Sequence, residues 1–491
     1  MTSANQAPEA MDRLRAGVAR VDITDYAAGP VNDPLYVKAL VLAGGGLTVA
    51  IITVDAVALG EIGHIGNDYL PAVRERLRAE LCIEPQNVVV NASHCHGVVC
   101  ADVAERTVQA VARASQNMVP VRVGSGTGYE RRIMQNRRLR LRDGREADVR
   151  HAYPLPPDDE VVGIGPVDPE IGILRIDRLD GRPLAVVFNF ACHPIQGVPG
   201  GGNTADISGF ACRAIERGLG QDAVALFVQG CAGDINPVLY KDVDRPRDAE
   251  PLGNVLGLSV LDALRGIAPD DGGDLGIVHE VLRLPRADLA PTIAALEEER
   301  ERLLRSLQST SINLKAFLQL VTRSGLAPEF PSYYSHGYLH EADTDAEHLK
   351  RMDDLNREQV QRYRANCLVM EQLLRVRENL NLLRMHQAQN ENAGWAPVEA
   401  ELVGLRVGNF VLVTSPGELS VQIGLNIKAA SPYEHTFVAG CTNGYIYYAP
   451  TAEQLENRGW AQEDSDCVLA PEWQALFEGR AQAALERLRD C

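Results

Sequence analysis

The sequence lacks the motifs that identify several large enzyme classes. It has no GxSxG turn of the serine hydrolases, no GxxxxGK[ST] phosphate loop and no HExxH helix of the zinc proteases. None of its 10 cysteines forms a CxxC pair, which excludes a zinc ribbon and a thioredoxin-type redox site. The glycine-rich segment 124–128 lacks the GxGxxG spacing of dinucleotide-binding proteins, so we predict a turn there.

Basic charge and long apolar runs are also scarce. With 66 acidic and 48 basic residues the net charge is -18, so neither nucleic acid nor an anionic membrane is an expected partner. No apolar stretch approaches the roughly 20 residues needed to span a bilayer. The segment Met1–Leu14 is polar and has no apolar region of a secretory signal, which predicts a cytoplasmic protein with free thiols. The sequence leaves the oligomeric state open.

Strand-like and helix-like patterns intermix along a chain with 45% hydrophobic residues. This order predicts an α/β fold with a mixed β-sheet core flanked by helices. We expect residues 1–12 to form a flexible tail and residues 13–491 a single catalytic domain. Within it, residues 286–392 carry apolar side chains at helical spacing on both sides of a Gly-, Pro-, Tyr- and His-rich stretch, 324–343. They predict an inserted long helical hairpin with an aromatic loop at its tip, which either serves packing alone or acts as a lid.

Three histidines follow runs that are typical of buried strands. His94 and His96 come after Val88–Val90, and because side chains alternate along an extended chain they should point to the same side. His193 follows a second apolar run, 184–190. Two strand ends that each deliver an imidazole predict a metal centre, since catalytic zinc commonly has three protein ligands and one open position.

The other ligands are less sharply defined by the residues alone. Glu418 ends an apolar strand in a Pro-Gly turn, where a polar side chain meets the edge of the core. Three loop carboxylates compete with it: Asp168, Glu170 and Asp206. Three tyrosines are either packing residues or part of the site: Tyr445, Tyr447 and Tyr448. Two cysteines are set aside because alternation points them away from the neighbouring histidines: Cys95 and Cys192.

Six short motifs occur in order along the chain. They are Ser93–Gly97 (SHCHG), Asn136–Arg138 (NRR), Phe190–His193 (FACH), Gly230–Pro237 (GCAGDINP), Pro416–Glu418 (PGE) and Asn443–Tyr448 (NGYIYY). In this order they resemble the motifs of the neutral/alkaline non-lysosomal ceramidase family, in particular its short intracellular bacterial relatives. The likeness extends from about Ala16 to about Arg487 and is weakest in the helical insert.

The resemblance implies a zinc enzyme that cleaves the amide bond of N-acyl sphingosines. The implied zinc ligands are His94, His193, Glu418 and Tyr448. His96 would lie beside the metal and face the substrate or bound water, and Arg137 would contact the polar head of the substrate.

The chain departs from the family at three points. Asn236 stands where the family has its active-site serine, and an amide cannot be that nucleophile although it can donate a hydrogen bond. Trp460 replaces a family tyrosine. The sequence ends in a helix near Arg487, so we expect no C-terminal immunoglobulin-like domain. These departures weaken the ceramide assignment more than the zinc assignment.

Three functional hypotheses follow. The first is a zinc-dependent amidohydrolase in which metal-activated water attacks the amide of a small-molecule or lipid-like substrate. In it, Asn236 stabilises the oxyanion, His96 shuttles a proton and Arg137 clamps a polar group of the substrate. The second keeps the metal, which is zinc or another divalent ion, for acyl transfer, amide formation or cyclisation on a small metabolite. The third is a non-catalytic protein that binds metal or ligand.

Overall fold

The computed structural model of the protein describes residues 13–150, 154–197, 202–220, 222–238, 240, 248–331 and 335–489. The tail predicted for residues 1–12 lies outside the described residues. The strands are β1 (Arg15–Asp22), β2 (Tyr36–Gly44), β3 (Leu47–Val54), β4 (Val88–Ala92), β5 (Val119–Tyr129), β6 (Met134–Asn136), β7 (Arg138–Leu141), β8 (Glu146–Asp148), β9 (Val161–Ile164), β10 (Glu170–Arg178), β11 (Pro183–Phe190), β12 (Val224–Gln229), β13 (Ile235–Pro237), β14 (Leu275–Leu284), β15 (Val398–Val407), β16 (Phe410–Thr414), β17 (Glu418–Leu419), β18 (His435–Ala439) and β19 (Tyr448–Ala449). The helices are α1 (Tyr69–Leu81), α2 (Val103–Gln116), α3 (Asp206–Leu219), α4 (Glu250–Leu264), α5 (Ala290–Ser306), α6 (Leu314–Leu326), α7 (Ser335–Asp343), α8 (His348–Asn392), α9 (Val421–Ala430), α10 (Ala452–Leu455), α11 (Gln462–Ser465) and α12 (Trp473–Arg487).

Two mixed sheets carry most of the strands. The larger has the order β12-β11-β10-β5-β1-β2-β3-β4, with parallel pairs only at its two ends, β11–β12 and β3–β4. The smaller has the order β14-β15-β16-β18, and β16–β18 is parallel. The predicted α/β class with a mixed sheet flanked by helices is confirmed.

The two sheets pack face to face between two layers of helices. Alternation along β2 shows why: Val37, Ala39 and Val41 face α1 and α2, whereas Leu40 and Leu42 face the smaller sheet. Successive side chains of a strand point to opposite faces of the sheet. A strand that is covered on both faces therefore has apolar residues at successive positions. On the same face of the larger sheet, α3 and α4 cover the half that contains β10, β11 and β12. The outer face of the smaller sheet is covered by α9 and α12.

The predicted helical insert lies between β14 and β15, neighbouring strands of the smaller sheet. Its hairpin consists of α5 and the 45-residue α8, which share a small apolar core of their own. The predicted aromatic loop over 324–343 was wrong in part, because α6 extends to Leu326 and α7 begins at Ser335. Tertiary contacts override the weak helix propensity there, since Tyr338 packs against Phe330 and bonds Asp353 of α8.

The turn predicted at residues 124–128 was also wrong, because these residues lie within β5 and pair with β10. A Cβ atom at Gly124 or Gly126 would lie 2.9 Å or 2.7 Å from the side chain of Ile267. Glycine therefore marks a close approach to the segment after α4 rather than a change of chain direction. Among the helices that the structure describes, none combines the length and apolar character needed to cross a bilayer.

A substitution at Gly17 tests the packing of α2 on the larger sheet. A Cβ atom there would lie 2.0 Å from the backbone oxygen of Ala114 in α2, so Gly17→Ala forces the helix away from β1. We expect a loss of about 1–3 kcal/mol in the free energy of unfolding, measured by urea denaturation. Gly479→Ala, at an exposed position of α12, meets no atom within 4 Å and should instead gain about 0.5–1 kcal/mol. Equal effects of the two substitutions would contradict this packing.

Candidate metal centre

The two strand-end histidines meet although β4 and β11 lie toward opposite ends of the larger sheet, because β12 comes close to β4: the backbone nitrogen of Gln229 donates to Oδ1 of Asn91 at 2.9 Å. His94 follows β4 and His193 follows β11, and their ring centroids lie 4.9 Å apart. The extended chain expected at residues 94–96 is not present, because β4 ends at Ala92 and His94 has a left-handed backbone with φ 66°. Even so, the ring of His96 lies 5.7 Å from that of His94.

Each imidazole is held by a backbone carbonyl and directed at Glu418. Nδ1 of His94 lies 2.6 Å from the oxygen of Val57, and Nδ1 of His193 lies 3.1 Å from that of Ile235. Since a carbonyl only accepts, each Nδ1 carries a proton and each Nε2 is left as a possible ligand atom. Both Nε2 atoms approach the same oxygen of Glu418, at 3.2 Å for His94 and 3.0 Å for His193.

This arrangement requires a positive charge among the three groups. Neutral rings that donate from Nδ1 would present two lone pairs to a carboxylate, which is repulsive unless one ring is protonated or a cation lies between them. Burial lowers the pKa of His193 to about 3. Burial also disfavours charge on His94, but the Glu418 carboxylate raises the pKa of His94 well above its usual range. The three ligand atoms lie within 4.8 Å of one another in buried residues, so the set fits a divalent cation.

Glu418 and Tyr448 are direct partners in the two-residue parallel pair β17–β19. Tyr448 Oη lies 3.5 Å from Nε2 of His193, which puts the phenol at the edge of the cluster. Tyr445 instead donates its hydroxyl hydrogen to Oε1 of Glu418, the oxygen that does not face the histidines. Tyr448 is thus placed as a possible ligand, whereas Tyr445 orients the carboxylate.

The loop that carries these tyrosines is fixed to β4. Left-handed backbone occurs at Cys441, Asn443 and Tyr447, with φ of 48°, 58° and 63°. Asn443 makes two hydrogen bonds with the backbone of Val90. Its backbone nitrogen donates to the oxygen of Val90, and its side-chain oxygen accepts from the nitrogen of Val90, each at 2.8 Å. Uncommon backbone conformations persist where the surroundings enforce them, and they cluster at functional sites.

His96 differs from the other two site histidines because the residue is exposed, whereas His94 and His193 are buried. Burial of part of the ring, and after it the charge of the neighbouring His94, lower the pKa of His96. A neutral, accessible imidazole beside the cluster can accept a proton.

Arg137 and Asn236 form a hydrogen bond with each other near the cluster. Nη1 of Arg137 donates to Oδ1 of Asn236 at 3.0 Å, and Nδ2 of Asn236 donates to the oxygen of Val149 at 3.2 Å. Asn236 directly follows Ile235, whose carbonyl holds His193. Both side chains are buried, and the guanidinium carbon of Arg137 lies 5.5 Å from the ring centroid of Tyr448. Their predicted roles toward substrate stay predictions.

The remaining candidates have other partners. Asp206 accepts hydrogen bonds from the backbone of Gln196, Gly197 and Ile207. Asp168 and Glu170 both pair with Lys428. A cysteine that the sequence did not single out contacts the site: Sγ of Cys441 lies 3.6 Å from Nδ1 of His94.

Sequence reasoning missed a buried ionic network beside Tyr448. Glu463 contacts both Arg137 and Arg150, and the guanidinium carbon of Arg150 lies 5.2 Å from the ring centroid of Tyr448. A usable signal existed in two adjacent arginines, Arg137 and Arg138, and two adjacent acids, Glu463 and Asp464. Buried charges need partners of opposite sign, so each doublet is a candidate partner for the other.

The second half of α8 is bound to the same region. Gln389 donates to Tyr447 Oη at 2.9 Å, His386 Nε2 lies 2.6 Å from Asp466, and Arg375 donates to Asp148 at 3.0 Å. Between α8 and the β7–β8 hairpin lies a mostly apolar cavity of about 450 Å³. This half of the insert is therefore packed against the residues around the tyrosine loop.

Comparison with known proteins identifies the fold. No family model and no curated protein matches the sequence. Among solved structures, the chain is similar to the neutral ceramidase from Pseudomonas aeruginosa, with a TM-score of 0.60 and 16% identity over 97% of this chain and 75% of that one. It is also similar to a ceramidase complexed with C2, with a TM-score of 0.61 and 15% identity over 97% of this chain and 76% of that one. The chain therefore has a ceramidase-like fold, as the resemblance of the motifs predicted.

Metal binding should depend on the converging groups and not on His96. His94→Ala and Glu418→Gln each remove a donor, so we expect stoichiometric zinc in the wild type and loss of most of it in either variant, measured by equilibrium dialysis and elemental analysis. His96→Ala is the matched control and should retain the metal. Zinc retained by His94→Ala and lost by His96→Ala would contradict this ligand set.

Removal of the Tyr445 hydroxyl should weaken the centre without removing a ligand. Tyr445→Phe leaves one oxygen of Glu418 without its donor, so the carboxylate is less well oriented. We expect metal affinity to fall roughly 10- to 100-fold, measured by competition with a chromophoric chelator. Tyr433→Phe, in the segment before β18, is the control and should leave the affinity unchanged.

Proposed function

We propose that the protein is a metal-dependent amidohydrolase that cleaves an N-acyl amide bond. The observation that carries the proposal is the convergence of His94, His193 and Glu418 within a fold shared with neutral ceramidases. Two imidazoles and a carboxylate, with the phenol of Tyr448 at the edge, form a donor set that suits zinc and is compatible with manganese or iron. When bound there, such an ion supplies Lewis acidity toward a carbonyl and acidifies water.

The residues of the chain divide the remaining work. His96, neutral and exposed beside the cluster, takes the proton of the attacking water and returns it to the leaving nitrogen. The side-chain amide of Asn236 donates a hydrogen bond to the developing oxyanion, a contribution of roughly 10²–10³ in rate. Arg137 holds Asn236 through its oxygen and lies against Tyr448, so it acts by positioning these two groups.

The proposal extends to the substrate class, the cellular location and the domain organisation. The substrate is a small-molecule or lipid-like amide, since the structural neighbours are ceramidases. We place the protein in the cytoplasm and treat residues 13–491 as one catalytic domain that includes the insert at 286–392.

Substitution of His96 separates catalysis from metal binding. His96→Gln removes the group that moves the proton but no proposed ligand, so kcat on a panel of N-acyl amides should fall roughly 10²- to 10⁴-fold while the zinc content is retained. His340→Gln, on exposed α7, is the control and should leave kcat unchanged. Chelation should abolish activity and added zinc should restore it.

Two results would overturn this assignment. Full activity in metal-free protein excludes a metal-dependent reaction, and a fully zinc-loaded protein that cleaves no amide supports the non-catalytic hypothesis. Transfer of the acyl group to an added amine in preference to water would identify acyl transfer as the reaction.

A further inference from the structure

The cavity between the helical insert and the β7–β8 hairpin has an apolar helical wall. Leu296 and Leu303 of α5 and Leu368 and Val376 of α8 line it. These residues lie at helical spacing, so each helix turns one apolar stripe toward the cavity. Leu296, Leu303 and Val376 also belong to the small apolar core that α5 and α8 share. The cavity therefore continues that core toward solvent.

The opposite wall is apolar as well. Leu141 and Ala147 of the hairpin are buried residues of the lining, and the segment 154–157 lies beside them. Proline occupies three of the four positions of that segment, which restricts its backbone. Trp460 completes the wall, and the guanidinium carbon of Arg145 lies 3.3 Å from the centroid of its ring.

Arg375 ties the two walls together. It lines the cavity from α8, and its guanidinium group donates to the backbone oxygens of Trp460 at 2.7 Å and of Pro154 at 3.1 Å. Its side chain is 8% exposed, so these hydrogen bonds lie in the interior. The cavity is thus enclosed by elements that are bonded to each other.

The cavity has the size and the lining of a small-molecule site. Its volume of about 450 Å³ falls in the range of roughly 300–1,000 Å³ that is typical of ligand pockets, whereas voids inside close-packed proteins rarely exceed a water molecule. Two leucines of the lining, Leu155 and Leu368, are 48% and 40% exposed, so the cavity opens to solvent beside them. A ligand that covers these side chains removes apolar surface from water.

The charged groups of the lining do not favour a ligand of either sign. They are three arginines and four carboxylates. Arg145 pairs with Asp143 at 2.7 Å, and Glu299 pairs with Arg302, which lies outside the lining. An apolar body, rather than a charged group, is therefore what the cavity recognises.

Strand β8 separates the cavity from the metal cluster. Ala147 lines the cavity, whereas the next residue, Asp148, accepts from Arg150 beside Tyr448. Successive side chains of a strand point to opposite faces, so the two sites lie on opposite faces of β8. A molecule in the cavity does not occupy the position of a substrate at His193.

We propose that this cavity is a second ligand site, which binds an uncharged apolar small molecule such as a single alkyl chain. The inference goes beyond the proposed amidohydrolase function and does not depend on it, since none of the converging metal-site groups lines the cavity.

Calorimetric titration of the full-length protein with 1-hexanol, 1-heptanol and 1-octanol tests the site. We expect one saturable site whose affinity rises roughly 3- to 4-fold with each added methylene group, because each group buries further apolar surface. Octanoate and octylammonium should bind no more tightly than 1-octanol. The affinities should be the same in zinc-loaded and metal-free protein, which distinguishes this site from the metal cluster.

Substitutions on α8 locate the binding. Leu368→Gln removes an apolar side chain of the lining and should weaken 1-octanol binding roughly 10-fold. Met370→Gln is the matched control, because Met370 is 53% exposed on the same helix but does not line the cavity. Gln372→Trp places a large ring at an exposed position of the lining and should abolish binding, whereas Gln361→Trp, exposed on α8 outside the lining, should not. Thermal unfolding checks that each variant is folded.

The fluorescence of Trp460 gives a second readout. The chain has three tryptophans, and Trp460 alone lines the cavity. We expect 1-octanol to change the emission of the wild type and not that of Trp460→Phe, in which calorimetric binding persists.

Three results would overturn the inference. Absence of saturable alcohol binding, or equal affinity in wild type, Leu368→Gln and Gln372→Trp, excludes a ligand site in this cavity. Binding of octanoate or octylammonium more than about 10-fold tighter than that of 1-octanol contradicts the uncharged class. Each of these results leaves the amidohydrolase proposal standing, and loss of amide cleavage on the substrate panel leaves this site standing.

Discussion

Two imidazole nitrogens approach one carboxylate oxygen in the interior of this protein, and that contact constrains the rest of the site. Nε2 of His94 and Nε2 of His193 lie 3.2 Å and 3.0 Å from the same oxygen of Glu418. Backbone carbonyls fix both rings so that lone pairs converge, and a buried convergence of acceptors is stable only around a positive charge. The ends of β4 and β11 in the larger sheet and of β16 in the smaller sheet must therefore lie close together, because each of these strands precedes one of the three groups.

The ionic network beside Tyr448 is best explained by what it positions. Burying charges costs free energy, and apolar replacements of a buried ion pair are often neutral or stabilising, so stability alone does not account for it. In this protein, Arg137 holds Asn236, and Glu463 joins Arg137 to Arg150 on the same side of Tyr448. The network thus connects Asn236 to the two arginines that lie beside Tyr448.

Local pattern was sufficient for the features that depend on neighbouring residues. An apolar run followed by histidine predicted the strand ends at His94 and His193, and intermixed periodicities predicted the α/β class and the helical insert. Long-range pairing left no such trace in the sequence. Arg150 contacts Glu463 across 313 residues. Tyr448, rather than Tyr445, lies opposite Glu418 because of the two-residue pairing of β17 with β19, which local pattern does not predict. The glycines of β5 misled for a related reason, since their neighbour Ile267 is distant in sequence.

The long helix of the insert links these parts. Gln389 of α8 bonds Tyr447 in the tyrosine loop, and Arg375 of α8 bonds Asp148, which also holds Arg150. Because Asp148 accepts from both arginines, it connects α8 to the side chain of Arg150 beside Tyr448. The insert is accordingly joined to the site by hydrogen bonds to a buried carboxylate and to the tyrosine loop, so its second half belongs to the packing that holds both in place.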